Sequence, residues 1–199
     1  MKCRPFTIRV AIAAALLGAF ALRAEEAQPK TAWDAKNLIP TKQCALCHKN
    51  ANVGNQVAAL EKGPHAKALE TLKGEKAKEI GAKLGIADPS SSGKCLKCHS
   101  TAYGFTEEKV ATVELAAGVE CQSCHGPGAL YKGKDKHAKD PAKAVAEWGM
   151  IKPTKENTCV RCHNAENPTN NPEAYTLKDG TKTNFDFDQA YEKMKHPKK

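Results

Sequence analysis

Eight cysteines of this chain fall into four units of one pattern, two cysteines three positions apart with a histidine directly after the second. The units are Cys44–Cys47–His48, Cys95–Cys98–His99, Cys121–Cys124–His125 and Cys159–Cys162–His163. Two thiols at this spacing can add to the two vinyl groups of one haem, and the next residue can then bind its iron, so C-x-x-C-H is the attachment signature of c-type haem. The pattern predicts four covalently bound c-type haems, with the four unit histidines as proximal iron ligands.

Two other kinds of site also use paired cysteines. Two C-x-x-C pairs can hold a structural zinc ion, and an isolated pair can act as a redox dithiol. Neither requires a histidine after the second cysteine, and histidine makes up only 7 of the 199 residues. Zinc would also explain the units only in pairs, whereas haem explains each unit alone. Haem attachment therefore accounts best for all four units, and it uses every cysteine except Cys3.

Three histidines outside the units are candidates for second axial ligands. They are His65, His137 and His196. A haem iron commonly takes a second axial ligand, which tunes its reduction potential. Three histidines can complete three haems and leave one without. From the residues alone each could instead be a surface histidine, and Met150 and Met194 are alternatives because methionine also binds haem iron in c-type cytochromes.

The first 24 residues predict a secretory signal peptide. Lys2, Arg4 and Arg9 form a basic region, residues 10–22 are an unbroken apolar run, and Ala24 offers a small residue for cleavage. The run is short for a membrane span, which needs about 20 residues, although an uncleaved anchor is the alternative. The prediction is a protein that is periplasmic or otherwise exported. It has no membrane span after cleavage near Ala24, and residues 25–199 form a single tetrahaem domain.

The composition indicates a chain that cannot build a large core by itself. Hydrophobic residues make up 41% and aromatic residues 6% of a short chain, so the buried area per residue is limited. The predicted haems would supply the missing apolar mass. The net charge is +9, and it falls to +5 without the four basic residues of the predicted leader. The lysine runs are interleaved with acids, and the aromatic residues of a strand-binding groove are missing, so nucleic acid is not a predicted partner.

The predicted fold class is mainly α, with helices and long loops wrapped around four closely packed haems. Helices are predicted over residues 64–84, from Pro141 onward, and over 186–196. Residues 110–113 allow a short strand, and 164–181 are rich in loop-forming residues. The Gly126–Pro127–Gly128 turn after the third unit either clears space for a neighbouring haem, since glycine lets the backbone approach closely, or is an ordinary turn.

Six segments in order carry a resemblance to a known family. They read CALCHKN, GPHAKALETLK, KCLKCHS, GVECQSCHGPG, CVRCHN and FDFDQAYEKMKH. In this order the chain resembles the tetrahaem cytochrome c-554 family. The resemblance implies a mostly helical fold with haems in close pairs, three of them with two histidine ligands and one five-coordinate. It implies that His65 completes the haem of His125, His137 that of His163 and His196 that of His48, which leaves the haem of His99 open.

The resemblance also implies a function. The usual role in the family is to carry electrons, accepted from a hydroxylamine-oxidising multihaem enzyme. The expected partners are exported redox proteins, either another multihaem protein or a quinol-linked cytochrome, and no catalytic residue is predicted. The alternative is an enzyme that reduces nitric oxide or a related nitrogen species at the open haem. A polymerising cytochrome is a third interpretation, but a filament of fully bis-histidine tetrahaem subunits needs eight histidines per chain and this one has seven.

Overall fold

The computed structural model describes residues 34–197, a range that is mostly helix, turn and loop; the predicted signal peptide lies outside it. The helices are α1 Lys42–His48, α2 Gln56–Lys62, α3 Ala68–Thr71, α4 Glu75–Lys83, α5 Gly93–His99, α6 Cys121–His125, α7 Lys134–His137, α8 Pro141–Glu147 and α9 Phe187–Met194. Two antiparallel strands, β1 Tyr175–Thr176 and β2 Lys182–Thr183, pair Tyr175 with Thr183. The predicted mainly α class is confirmed.

Three of the four C-x-x-C-H units occupy the last turn of a helix that ends at the unit's own histidine. These helices are α1, α5 and α6. The fourth unit begins in a 3-10 turn, Cys159–Arg161. Residues three apart on a helix lie on one face, so in the first three units both thiols project from the same side of the turn. The repeated pattern therefore has a local structural basis, which is a short helix that presents two thiols and stops at the imidazole.

The helix predicted over residues 64–84 is interrupted. A 3-10 turn, Pro64–Lys67, begins with proline in the first helical position as expected. Helices α3 and α4 follow it, and they are separated because Gly74 adopts an extended conformation. Residues 110–113 form no strand, so that option is wrong, and the hairpin of β1 and β2 overlaps the segment predicted as loop. Because of this interruption, the orientation of the Pro64–Lys67 turn, which carries His65, is not set by the direction of α4.

The apolar core of residues 34–197 is small and divided. Eleven hydrophobic residues are buried in this range. One cluster joins Leu38, Ala102 and Val113, and another joins Leu69, Leu72 and Leu96. The second cluster fixes α5, which carries the second unit, against α3. This limited burial agrees with the expectation that the polypeptide alone supplies little apolar mass.

The third unit is fixed by a buried amide. Gln122, fully buried, accepts hydrogen bonds from the backbone N–H groups of Ile39 (3.0 Å) and Gly128 (2.9 Å), and its Nε2 donates to Ile39 O (2.6 Å). A Cβ on Gly126, which has φ +81°, would lie 2.3 Å from Gly149 O. The backbone of Gly149 therefore packs closely against Gly126. This packing favours the interpretation of the segment as an ordinary turn over a space cleared for a haem.

Candidate haem-binding sites

Six of the seven histidines form three pairs. In each pair the two rings are separated by about the distance expected for two imidazoles bound to one metal ion. The ring centroids are separated by 6.0 Å for His48 and His137, 6.0 Å for His65 and His163, and 5.8 Å for His125 and His196. Two imidazoles on opposite sides of one metal ion, each bound through about 2 Å, would hold their centroids roughly 6 Å apart. Each pair joins one unit histidine to one histidine outside the units, so the donor set fits a haem iron with two histidine ligands.

These pairs differ from those that the resemblance implied. His65 lies beside His163 of the fourth unit rather than His125, and His137 beside His48 of the first unit rather than His163. His196 lies beside His125 rather than His48. The path of the chain gives the reason for His137. The Tyr131 hydroxyl donates to His125 O at 2.8 Å, and Lys132 Nζ then donates to Gln43 Oε1 of α1 at 2.6 Å. This connection turns the chain from the third unit toward the first.

Hydrogen bonds at Nδ1 orient four of the rings. His48 Nδ1 lies 3.1 Å from Gln56 Oε1, and His99 Nδ1 donates to Ala68 O at 2.7 Å. His137 Nδ1 donates to Tyr131 O at 2.9 Å, and His125 Nδ1 to Ile151 O at 3.4 Å. A donor bond at Nδ1 fixes the tautomer whose Nε2 is free to bind metal, and it raises the basicity of the ligand. The backbone and Gln56 therefore prepare these rings to bind through Nε2.

The other paired rings are suited to iron by burial. The Nδ1 atoms of His65 and His196 are buried without a hydrogen-bond partner in the described chain. Burial, and less strongly the charge of His163, lowers the pKa of His65. Burial, and less strongly the charge of His99, lowers the pKa of His163. Because neutral imidazole is the form that binds metal, the environment favours the ligand state of this pair.

His99 is the one histidine that pairs with no other histidine. All seven lie within residues 34–197, and the other six account for the three pairs. The side of His99 that carries Nδ1 faces α3, with Ala68 O as its acceptor and Thr71 Oγ1 at 3.3 Å. Since both contacts are made at Nδ1, Nε2 is left to act as the proximal ligand of the second unit.

Thiols from different units meet and connect the four units in series. Cys44 of the first unit is hydrogen-bonded to Cys121 of the third, and Cys98 of the second to Cys162 of the fourth. The charge of Cys159 acts on Cys124, which links the third unit to the fourth. The cysteine interactions therefore connect the units in the sequence first, third, fourth and second, while Thr101 after the second unit also contacts Ser123 of the third.

The same contacts give the thiols different pKa values before haem is attached. The hydrogen bond from Cys162 lowers the pKa of Cys98 to about 7, whereas the same bond, together with burial, raises the pKa of Cys162. Burial raises the pKa of Cys124 to about 11, with the charge of Cys159 as a further cause. The thiolate is the nucleophilic form of cysteine, so Cys98 is the most readily ionised of these three.

The geometry also bears on the zinc alternative. A structural zinc site gathers four ligands. Between residues 34 and 197, no group of three or more His, Cys, Asp or Glu side chains comes together as metal ligands. Cysteines of different units meet instead in twos, and each unit keeps its own histidine.

Sequence reasoning missed three residues that position the ligands. Gln56 contacts His48, Gln122 fixes the third unit, and Tyr131 donates to the carbonyls of His125 and Gly126. Burial raises the pKa of Tyr131, so its hydroxyl stays protonated as a donor. Gln122 stands between the two cysteines of its unit, a position that the C-x-x-C-H pattern leaves unspecified, and no sequence pattern marks the other two.

If each unit carries a haem as the sequence predicts, exchange of His65 for methionine should change one haem and leave four attached. The His65→Met variant replaces the imidazole opposite His163, so one of the three bis-histidine ferric signals should be lost from the electron paramagnetic resonance spectrum. Axial ligation tunes haem electronics, whereas attachment depends on the cysteines, so the intact mass should still show four haems. Lys67→Met, an exposed change on the same 3-10 turn, is the matched control. An unchanged His65→Met spectrum would remove this residue from the ligand set.

Comparison with known proteins agrees with this geometry. A family model described as cytochrome c554 and c-prime matches residues 43–126. The chain is 32% identical to cytochrome c-554 of Nitrosomonas europaea in an alignment 176 residues long, and the match covers 77% of this chain and 72% of that protein. No solved structure matches the chain. With its C-x-x-C-H units for covalent haem, the chain is a c-type cytochrome that belongs to the cytochrome c-554 family.

Proposed function

We propose that this chain is an exported tetrahaem electron carrier, with one haem on each C-x-x-C-H unit. The observation that carries the proposal is the set of three histidine pairs with centroids 5.8 to 6.0 Å apart. These three pairs would supply both protein ligands to three of the four haem irons. Such sites exchange electrons without binding a substrate, which is what a carrier requires.

The contacts between units support transfer within one molecule. When bound, haem supplies a one-electron couple. The chain's own residues hold the four attachment sites next to one another in the order first, third, fourth and second, through the cysteine contacts described above. The two ends of this series, the first and second units, are the candidate points of electron entry and exit. The first unit is the more accessible in the polypeptide, since Leu46 is 73% exposed.

The proposed partners are other exported redox proteins. A hydroxylamine-oxidising multihaem enzyme is the proposed electron donor. The other proposed partner is a multihaem protein or a quinol-linked cytochrome. Export places the chain in the compartment where such proteins meet. No helix within residues 34–197 has the length and apolarity to cross a bilayer. Many of the lysines are exposed, so association with an acidic partner should weaken as the salt concentration rises.

A second candidate function rests on His99. Because His99 makes no ring contact with another histidine within residues 34–197, the haem of the second unit would keep one axial position for a small molecule. Reduction of nitric oxide or a related nitrogen species is the activity that such a position would allow. The bond from His99 Nδ1 to Ala68 O would hold the proximal ring while a ligand binds on the other side.

Electron paramagnetic resonance of the ferric protein, with and without nitric oxide, tests the ligation. We expect a high-spin signal from one haem in four, altered by the gas, beside three low-spin haems that the gas leaves unchanged. Four low-spin haems indifferent to nitric oxide would contradict an open second unit. Protein supplied with both an excess chemical reductant and excess nitric oxide then separates the two functions, because a carrier binds the gas without consuming it and a reductase consumes the gas and the reductant through many turnovers.

A further inference from the structure

Gln56, the first residue of α2, contacts the candidate ligand His48 of one haem site and Pro197, the residue after the candidate ligand His196 of another. Its Oε1 lies 3.1 Å from His48 Nδ1, and its Nε2 donates to Pro197 O at 2.8 Å and to Val53 O. Both carbonyls can only accept, which assigns the NH2 group to their side and leaves Oε1 to accept from His48. Pro197 directly follows His196, the histidine paired with His125.

The turn before Gln56 is shaped for the C-terminal segment. Gly54 has φ +105°, and a Cβ placed there would lie 2.7 Å from Pro197 O and 2.8 Å from Gln56 Nε2. Glycine alone tolerates both this dihedral angle and this approach. Asn55 also adopts a left-handed conformation, and its side chain caps α2 by accepting from Ala58 N–H. The turn therefore sets the direction of the Gln56 amide and admits Pro197 beside it.

We propose that Gln56 is a positioning residue that couples the first haem site to the third. Its Oε1 accepts from His48 and strengthens the proximal ligand of the first site. Its Nε2 holds Pro197 and thereby keeps His196 opposite His125. The proposal rests on the haem ligation proposed above. It adds that one side-chain amide positions a ligand of the first site through its oxygen and a ligand of the third site through its nitrogen.

Two substitutions separate the two ends of the amide. Gln56→Glu keeps an acceptor for His48 and makes it anionic, but it loses the donor to Pro197. Gln56→Leu loses both. A stronger acceptor makes the imidazole a better electron donor to iron, which favours the ferric state and lowers the reduction potential. The first haem should therefore shift to lower potential in Gln56→Glu and to higher potential in Gln56→Leu, while both variants loosen His196.

The experiment uses the full exported protein with its haems. A potentiometric titration followed by electron paramagnetic resonance gives the midpoint of each haem, and carbon monoxide titration of the ferrous protein counts the positions open to a small ligand. Wild type should bind one carbon monoxide per chain. Both variants should bind a second, with an affinity about tenfold or more above that of the wild-type third site, since the loss of an outer-shell partner typically weakens ligation by 10- to 100-fold. Gln189→Leu, which removes an exposed amide bonded to Thr176 O, should match wild type.

A further variant covers the case in which a Gln56 variant fails to fold. Gly54→Ala keeps the Gln56 amide but places a Cβ 2.7 Å from Pro197 O and 2.8 Å from Gln56 Nε2, so it should open the third site and shift the potential of the first haem less than Gln56→Leu does. Shifts of the first haem in the same direction in Gln56→Glu and Gln56→Leu would overturn the proposal, as would carbon monoxide binding that stays at one per chain in all three variants. A wild-type mass with fewer than four haems would instead contradict the proposed function itself.

Discussion

Serine at both Cys121 and Cys124 is expected to give a chain with three haems that fails to reach the native fold. The third unit lies at a junction of the structure. Cys121 interacts with Cys44 of the first unit, the charge of Cys159 of the fourth acts on Cys124, and Gln122 between the two cysteines is fully buried. Loss of this haem removes apolar mass from a chain with little core of its own. Intact mass gives the haem count, and thermal unfolding followed by circular dichroism should lose its cooperative transition.

The matched control is serine at both Cys44 and Cys47. This pair also carries one predicted haem, but Cys47 is exposed and Leu46 beside it is 73% exposed. We expect three haems again, now with a cooperative transition at reduced temperature. Equal damage in the two double variants would show that position in the series does not matter, and a native melting curve for the Cys121 and Cys124 variant would contradict the role of the third unit as a junction.

The Gln122→Leu substitution is expected to lower the free energy of unfolding by roughly 3–9 kcal/mol, because three backbone groups lose their partner and each buried unsatisfied group costs about 1–3 kcal/mol. The groups are Ile39 N–H, Ile39 C=O and Gly128 N–H, each within 3.0 Å of the amide. Leucine has a similar volume and cannot replace any of these bonds. Denaturant unfolding of the protein with four haems attached measures the change.

The Gln43→Leu variant serves as the control for this loss. Gln43 Oε1 accepts from Lys132 Nζ in an exposed hydrogen bond, and a surface substitution of this kind usually changes stability by about 0.5 kcal/mol or less. A loss of less than about 1 kcal/mol in Gln122→Leu would mean that water replaces the amide, and that Ile39 and Gly128 are not held by it.

The sequence was sufficient for the local part of the candidate site and insufficient for its pairing. Each unit is a contiguous pattern, so the four proximal candidates were available without any fold. The partner of His65 depends on the path of the chain, and the resemblance implied His125 where the structure has His163. A contact of that kind is set by tertiary packing, which a single sequence does not display.

The secondary structure shows the same division. Pro64 marks the beginning of a helical turn correctly because its dihedral angle is fixed by its ring. The break before α4 falls at Gly74, and the pattern did not place it, since a glycine within a helical pattern is tolerated in some contexts and terminates the helix in others. No sequence pattern marks Gln122, because a glutamine in a sequence can lie on the surface or in the interior. Its burial depends on its contact with Ile39, which is distant in the sequence.

The histidine pairs determine the order in which the candidate haem sites can be completed while the chain is synthesised from its N-terminus. The first site waits for His137 and the fourth joins His65 to His163, while the third is finished only by His196. Each closure spans a long stretch of chain, and contacts of high sequence separation make folding slow. The pairing of His125 in the third site therefore stays incomplete until α9 and His196 after it have been made. The last ligand to arrive then closes a site in the middle of the series.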